Sequence, residues 1–171
     1  IPFCNSKCWY CDFTSFVGRE DVFEPYLGAL RRELLLRLPA WSQVTFDSLY
    51  VGGGTPTVIP ASLLADFIGQ TLALIPKTHD IEVTVEANPS TLNEAVVRKL
   101  LYAGVNRLSI GVQSWHSEEL ARLGRRHSPQ VASVAIAAAR SAGCTNISLD
   151  LMLGLPAQTT STWDETLRRS L

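Results

Sequence analysis

The sequence predicts an α/β fold of parallel strands joined by helices, closed up as a barrel. Two patterns carry that prediction. Helical and strand-like stretches alternate along the chain, and the strand candidates give way to glycine or a functional polar group at their carboxyl ends. A faint internal repeat adds to them: Ala103-Gly104-Val105-Asn106-Arg107-Leu108-Ser109-Ile110 lines up with Ala142-Gly143-Cys144-Thr145-Asn146-Ile147-Ser148-Leu149. Alternation of this kind implies parallel strands with right-handed crossovers. Two units that enter their strands alike fit a barrel, although a doubly wound sheet reuses such joints too.

Element by element, Phe23, Leu27, Leu30, Leu34 and Leu38 recur at helical spacing, so an amphipathic helix runs from Phe23 to Leu38 and ends at Pro39. Ser48 to Val51 reads as a short buried strand running into Gly52-Gly53-Gly54-Thr55-Pro56-Thr57, and a helix follows from Ala61 to Ile75. Ile81 to Val85 is rich in β-branched residues and reads as a strand ending at Glu86-Ala87-Asn88-Pro89. Thr91 and Glu94 have capping-box spacing for a third helix, which Gly104 closes. Leu108 to Ile110 is a strand leading into Gly111-Val112-Gln113-Ser114. Ser128-Pro129 opens a fourth helix, with Ser at the cap and Pro at the first helical position, and Gly143 ends it. Ile147 to Met152 is a strand running into Leu153-Gly154-Leu155-Pro156, and a last helix begins near Thr162.

The composition narrows the function classes. Of 171 residues 46% are hydrophobic and 18% charged, with 15 Lys+Arg against 16 Asp+Glu, which excludes disorder and a collagen-like fibre. The length suits one domain with a sizeable core. A net charge of −1 without a basic run leaves no electrostatic footprint for nucleic acid or an anionic membrane surface. No apolar stretch approaches the ~20 residues of a membrane span, and no signal segment opens the chain. The chain begins at Ile1-Pro2-Phe3-Cys4, directly before its densest motif, and stops at Leu171 in a helix-like segment, so it reads as a piece of a longer protein. Three of four cysteines fall within eight residues, which points to thiolate ligation in a reducing compartment and a cytoplasmic location.

Cys4, Cys8 and Cys11 place three soft ligands in one short loop, while Cys144 stands alone at the start of a strand. A structural zinc site wants four ligands, and His116 or His127 could complete one. Three thiolates for four irons instead leave one iron open to a small molecule. The glycine run is no dinucleotide fingerprint, because Thr57 stands where the third glycine would be, and no Gly-Lys-Ser/Thr follows for a phosphate loop. Gly52–Gly54, Glu86, Gln113 and Asp150 all sit at strand carboxyl ends, the ligand-binding face of parallel α/β architectures. An acidic residue between Leu149 and Leu151 in a buried strand would cost several kcal/mol without a partner.

Cys-x3-Cys-x2-Cys with Tyr10 before the last cysteine resembles the signature of the radical S-adenosylmethionine (SAM) superfamily. Gly52 to Thr57, Gly111 to Ser114, and Asp150-Leu151-Met152-Leu153-Gly154-Leu155-Pro156-Ala157-Gln158 are similar to one branch, the oxygen-independent coproporphyrinogen III dehydrogenases and their HemW-type heme-chaperone relatives. The resemblance is collinear over nearly the whole chain. It implies a partial radical SAM (β/α)6 barrel truncated at both ends, with residues 1–171 as an incomplete core domain and a carboxyl-terminal domain beyond it. It also implies a [4Fe-4S] cluster on Cys4, Cys8 and Cys11, whose open iron chelates SAM and whose electron yields a 5′-deoxyadenosyl radical. The SAM contacts it implies are Tyr10, Gly53, Gly54, Thr55, Glu86, Gln113, Arg125 and Asp150. Arg125 would pair with the methionine carboxylate, Asp150 with ribose hydroxyls, and Glu86 with the ammonium or ribose. The glycines would let backbone approach the methionine end. An electron donor, a heme or porphyrinogen ligand, and a heme-receiving client protein are the further partners expected. The dehydrogenases carry another cysteine where this chain has Phe13, and Asp12-Phe13 resembles the chaperone branch. Two alternatives stand beside the chaperone: an active coproporphyrinogen III dehydrogenase, and a zinc-bearing α/β binding module.

Overall fold

The computed structural model describes residues 1–171. Its elements are α1 (Phe23–Arg37), β1 (Phe46–Val51), α2 (Ala61–Leu74), β2 (Lys77–Ala87), α3 (Glu94–Tyr102), β3 (Arg107–Gln113), α4 (Ser117–Arg122), α5 (Pro129–Ser141), β4 (Ile147–Leu151) and α6 (Thr160–Ser170), with short 3₁₀ turns between them. The four strands are all parallel and lie in the order β1-β2-β3-β4. A doubly wound sheet would reverse direction from a central strand; this one advances strand by strand, as a β/α barrel does.

The predicted repeat is a physical one. Leu108 pairs with Ile147, Ser109 with Ser148 and Ile110 with Leu149, so the aligned residues are ladder partners. Both strands are entered through a glycine in the left-handed region, Gly104 at φ 102° and Gly143 at φ 101°. The amide that follows each glycine bonds back to a carbonyl in the last turn of its helix, Val105 to Leu100 and Cys144 to Ala139.

Sequence and structure part at several points. Pro39 does not stop the first helix abruptly; Leu38–Trp41 continues it as a 3₁₀ turn. β1 is an edge strand in which only Val51 is buried, not a buried one. β2 begins four residues before Ile81 with the polar run Lys77-Thr78-His79-Asp80. The third helix starts where expected, but Asn93 caps it by accepting from the Val96 amide, and Glu94 turns outward to Arg98. Thr91 belongs to the preceding turn, where its hydroxyl meets Thr57 and the Asn88 carbonyl. Helix α4 was unpredicted, despite the acidic pair Glu118-Glu119 in its first turn.

The strands are not apolar up to their ends; they alternate. Leu49, Val51, Val83, Val85, Leu108 and Ile110 face the helices and build the core. Ser48 and Tyr50, Glu82, Thr84 and Glu86, Arg107 and Ser109, and Ser148 and Asp150 occupy the opposite face, in register across all four strands. Helix α5 packs on the core side through Ala132, Ala135 and Ala139, whose small side chains allow close approach.

Candidate functional site

One cavity of about 450 Å³ opens at the carboxyl ends of the strands, within the ~300–1,000 Å³ of small-molecule pockets. Cys4, Cys8 and Cys11 line it, as do Tyr10, Gly53, Gly54, Thr55, Glu86, Gln113, Arg125 and Asp150. Every cluster ligand and SAM contact expected from the resemblance is therefore on this wall. His127, Phe13 and the turn residues Asn88, Ser90 and Thr91 line it as well. Those turn residues carry no ligand-binding signature in the sequence, and the turn geometry brings them there. Cys144 is buried at the amino end of β4, apart from the cavity.

The cysteine loop is anchored through its ends. Residues 1–4 run beside the glycine segment, with Gly54 N–H donating to Ile1 O at 2.8 Å and Thr55 N–H to Phe3 O at 2.7 Å. Phe16 closes the other side by exchanging backbone bonds with Pro2 and Cys4. This contact explains the glycines. A Cβ on Gly54 would lie 2.6 Å from Phe3 O and 3.0 Å from Cys4 Sγ, and one on Gly53, at φ 123°, would lie 2.9 Å from Ile1 O. The glycines make room for the cysteine loop itself.

Glu86 spends both oxygens on the same wall. Oε1 accepts from the Tyr50 hydroxyl at 2.7 Å and Oε2 from the Gly53 amide at 2.9 Å. Burial and the Glu86 charge push the Tyr50 phenol up to about 12. Arg125 is no solvated surface residue. It donates to the Gly111 carbonyl, its Nη1 lies 3.7 Å from Cys8 Sγ, and its buried Nε has no partner. Burial raises the Tyr10 phenol beside it, against the opposing pull of the Arg125 charge. Asp150 faces the cavity from β4 and accepts from Ser109 Oγ at 2.9 Å, which gives the carboxylate the polar partner that its place in the strand called for.

Strand β3 persists through Gln113, which takes φ 68°, a conformation costly for a residue with a Cβ. Gln113 O accepts the Met152 amide at 2.9 Å, joining the β3 and β4 loops. A buried clasp reinforces the join. Glu119, 4% exposed, accepts from Ser114 Oγ at 2.6 Å, Thr162 Oγ1 at 2.7 Å and Gln158 Nε2 at 3.3 Å. Gln158 in turn bonds Met152 O and the Gly154 amide. Burial alone would raise the Glu119 carboxyl, but those three donors outweigh it and hold it below its usual 4.5. Ser114 and Gln158, which end two of the sequence motifs, thus meet on one carboxylate.

Of His116 and His127 only His127 lines the cavity, and its buried Nδ1 has no partner. His116 Nε2 meets the Thr162 carbonyl, and His127 Nε2 donates to Val112 O at 3.2 Å. Burial, then the Arg125 charge, lowers His127 to about 4.

The chain matches the Radical SAM superfamily over residues 1–169. It belongs to that superfamily. Among its relatives, the heme chaperone HemW of Bacillus subtilis is 36% identical over 172 residues, covering 100% of this chain and 45% of the relative. The oxygen-independent coproporphyrinogen III oxidase of Bradyrhizobium diazoefficiens is 34% identical over 176 residues, covering 100% of this chain and 38% of that one. The solved structure of coproporphyrinogen III oxidase (HemN) from Escherichia coli, a radical SAM enzyme, superposes with a TM-score of 0.87 at 30% identity, over 99% of this chain and 39% of that one. The radical SAM chain described here spans less than half the length of these relatives.

This radical SAM wall fits the cofactors of its superfamily by donor chemistry. Three free thiols face one cavity, and soft donors of that kind suit iron–sulfur ligation. No three His, Cys, Asp or Glu side chains converge on a single metal-ion position.

Proposed function

We propose that this radical SAM chain holds a [4Fe-4S] cluster on Cys4, Cys8 and Cys11, binds SAM beside it, and serves a heme chaperone of the HemW type. The observation that carries the reading is the shared wall: three thiols, two guanidinium groups and two carboxylates from separate segments line one small-molecule cavity. The cluster, when bound, supplies the electron for reductive cleavage of SAM.

The chain's own residues bind and orient. Arg125, held by Gly111 O beside Cys8, offers its remaining donors to the methionine carboxylate. Asp150 accepts from ribose hydroxyls. Glu86 fixes the glycine turn and faces the ligand from that side. Gln113, set by its strained backbone, and Tyr10 complete the wall. A reducing compartment, the cytoplasm, suits half-buried free thiols of this kind.

The chaperone reading rests on the HemW relatives and on Phe13, which lines the cavity at 68% exposure where the dehydrogenase pattern has a thiol. The structural match to HemN supports a second reading, porphyrinogen decarboxylation. The zinc module loses support at His116, whose ring meets the Thr162 carbonyl and does not line the cavity.

The test begins with anaerobic reconstitution of the purified protein. Iron, acid-labile sulfide and visible absorption should appear together, vanish in Cys8→Ala, and persist in Cys144→Ala. Equal behaviour of the two variants would refute the ligand set. Heme titration followed at the Soret band, and turnover of coproporphyrinogen III with SAM, then separate the functions. Multiple turnovers without heme binding would replace the chaperone by the dehydrogenase.

A further inference from the structure

The inner face of the sheet carries a chain of hydrogen bonds that ends on Asp150. Parallel strands covered by helices are ordinarily apolar on both faces, and barrel interiors are filled by branched apolar side chains. Here the inner positions of all four strands are polar. Arg107 Nη2 donates to Ser148 Oγ at 3.1 Å, while its Nη1 lies 3.3 Å from both Glu82 Oε1 and Thr84 Oγ1. Ser148 Oγ lies 3.5 Å from Ser109 Oγ, the longest link, and Ser109 Oγ lies 2.9 Å from Asp150 Oδ1.

The direction of this chain follows from its ends. A guanidinium only donates and a carboxylate only accepts. Ser148, accepting from Arg107, therefore turns its own proton toward Ser109. Ser109 in turn has its proton on Asp150. At 5% exposure Ser109 is shielded from competing water. The last torsion of an aspartate is broad and two-fold, so an exposed carboxylate needs such a contact to hold one orientation. With Oδ1 engaged, Oδ2 is left for the cavity.

We propose that Ser109 is a positioning residue, supported by Ser148 and Arg107, that aims the free oxygen of Asp150 at the ribose hydroxyls of SAM. This rests on the assignment of Asp150 to the SAM site.

Equilibrium dialysis of the cluster-loaded protein against SAM and its 2′,3′-dideoxyribose analogue tests it. Wild type should bind SAM more tightly than the analogue. Ser109→Ala should weaken SAM about fivefold, close to 1 kcal/mol, and leave the analogue's affinity unchanged, because that ligand presents nothing to Asp150. Ser148→Ala should show the same selective pattern at about twofold and serves if Ser109→Ala does not fold. Loss of both ligands alike, or of neither, would overturn the proposal. Asp150→Ala separates the two levels. If it weakens SAM while Ser109→Ala does not, the relay is wrong and the site stands. If it leaves SAM binding intact, the site assignment fails and the relay with it.

Discussion

Replacing Glu119 by Gln tests whether the buried clasp holds the two ligand loops together. The carboxylate accepts three side-chain donors, with Ser114 and Gln158 on Oε2 and Thr162 on Oε1. A glutamine can keep its oxygen toward Ser114 and Gln158 and turn its amide toward Thr162. That exchange loses one charge-assisted bond and makes two others neutral. Bonds to charged groups are worth about 1.5–3 kcal/mol and neutral ones about 1, so a loss of at least about 2.5 kcal/mol is expected. Urea unfolding at pH 7, followed by circular dichroism, measures it. The pH dependence supplies a second, independent reading. The folded carboxyl titrates below its unfolded value of 4.5, so its contribution is present above pH 4.5 and is lost as pH falls through the folded value. The gap between wild type and Glu119→Gln should therefore narrow in acid. A gap under about 0.5 kcal/mol, the scale of a neutral surface change, or one that does not change with pH, would refute the reasoning.

Two further predictions concern the same region. Gly54→Ala puts a Cβ 2.6 Å from Phe3 O and 3.0 Å from Cys4 Sγ, so the cysteine loop must shift; iron bound per chain after reconstitution should drop while the far-ultraviolet spectrum is kept, and full iron content would contradict the packing argument. His127 is held near 4 against 6.5 unfolded, so between those values the unfolded chain takes up the proton and stability falls with pH, by at most about 3 kcal/mol; His127→Gln should flatten that slope, and an unchanged slope would show that other groups carry it.

Much of this protein is decided locally. Periodicity placed α1 to within a residue, because an apolar stripe at helical spacing has one way to be buried. Ser128-Pro129 marked the start of α5 because capping is settled within one turn. The cysteine spacing and the polar strand ends picked out Cys4, Cys8, Cys11, Glu86, Gln113 and Asp150 on the cavity wall, since in parallel α/β folds the strand carboxyl ends must share one rim, while Tyr10 and Arg125 followed from the family resemblance. Other features depend on partners far apart in sequence. Asn93 rather than Thr91 caps α3 because Thr91 is drawn to Thr57, 34 residues away. The glycine run looked like space for a ligand, yet its nearest neighbours are residues 1–4, brought alongside by backbone pairing. Arg125 beside Cys8, Glu119 beneath two loops, and Ser109 against Asp150 join positions 117, 43 and 41 residues apart. Spacing along a chain fixes which face a side chain takes, but only the parallel register of β1 to β4 decides which faces meet, and that register sets the contacts on the cavity wall.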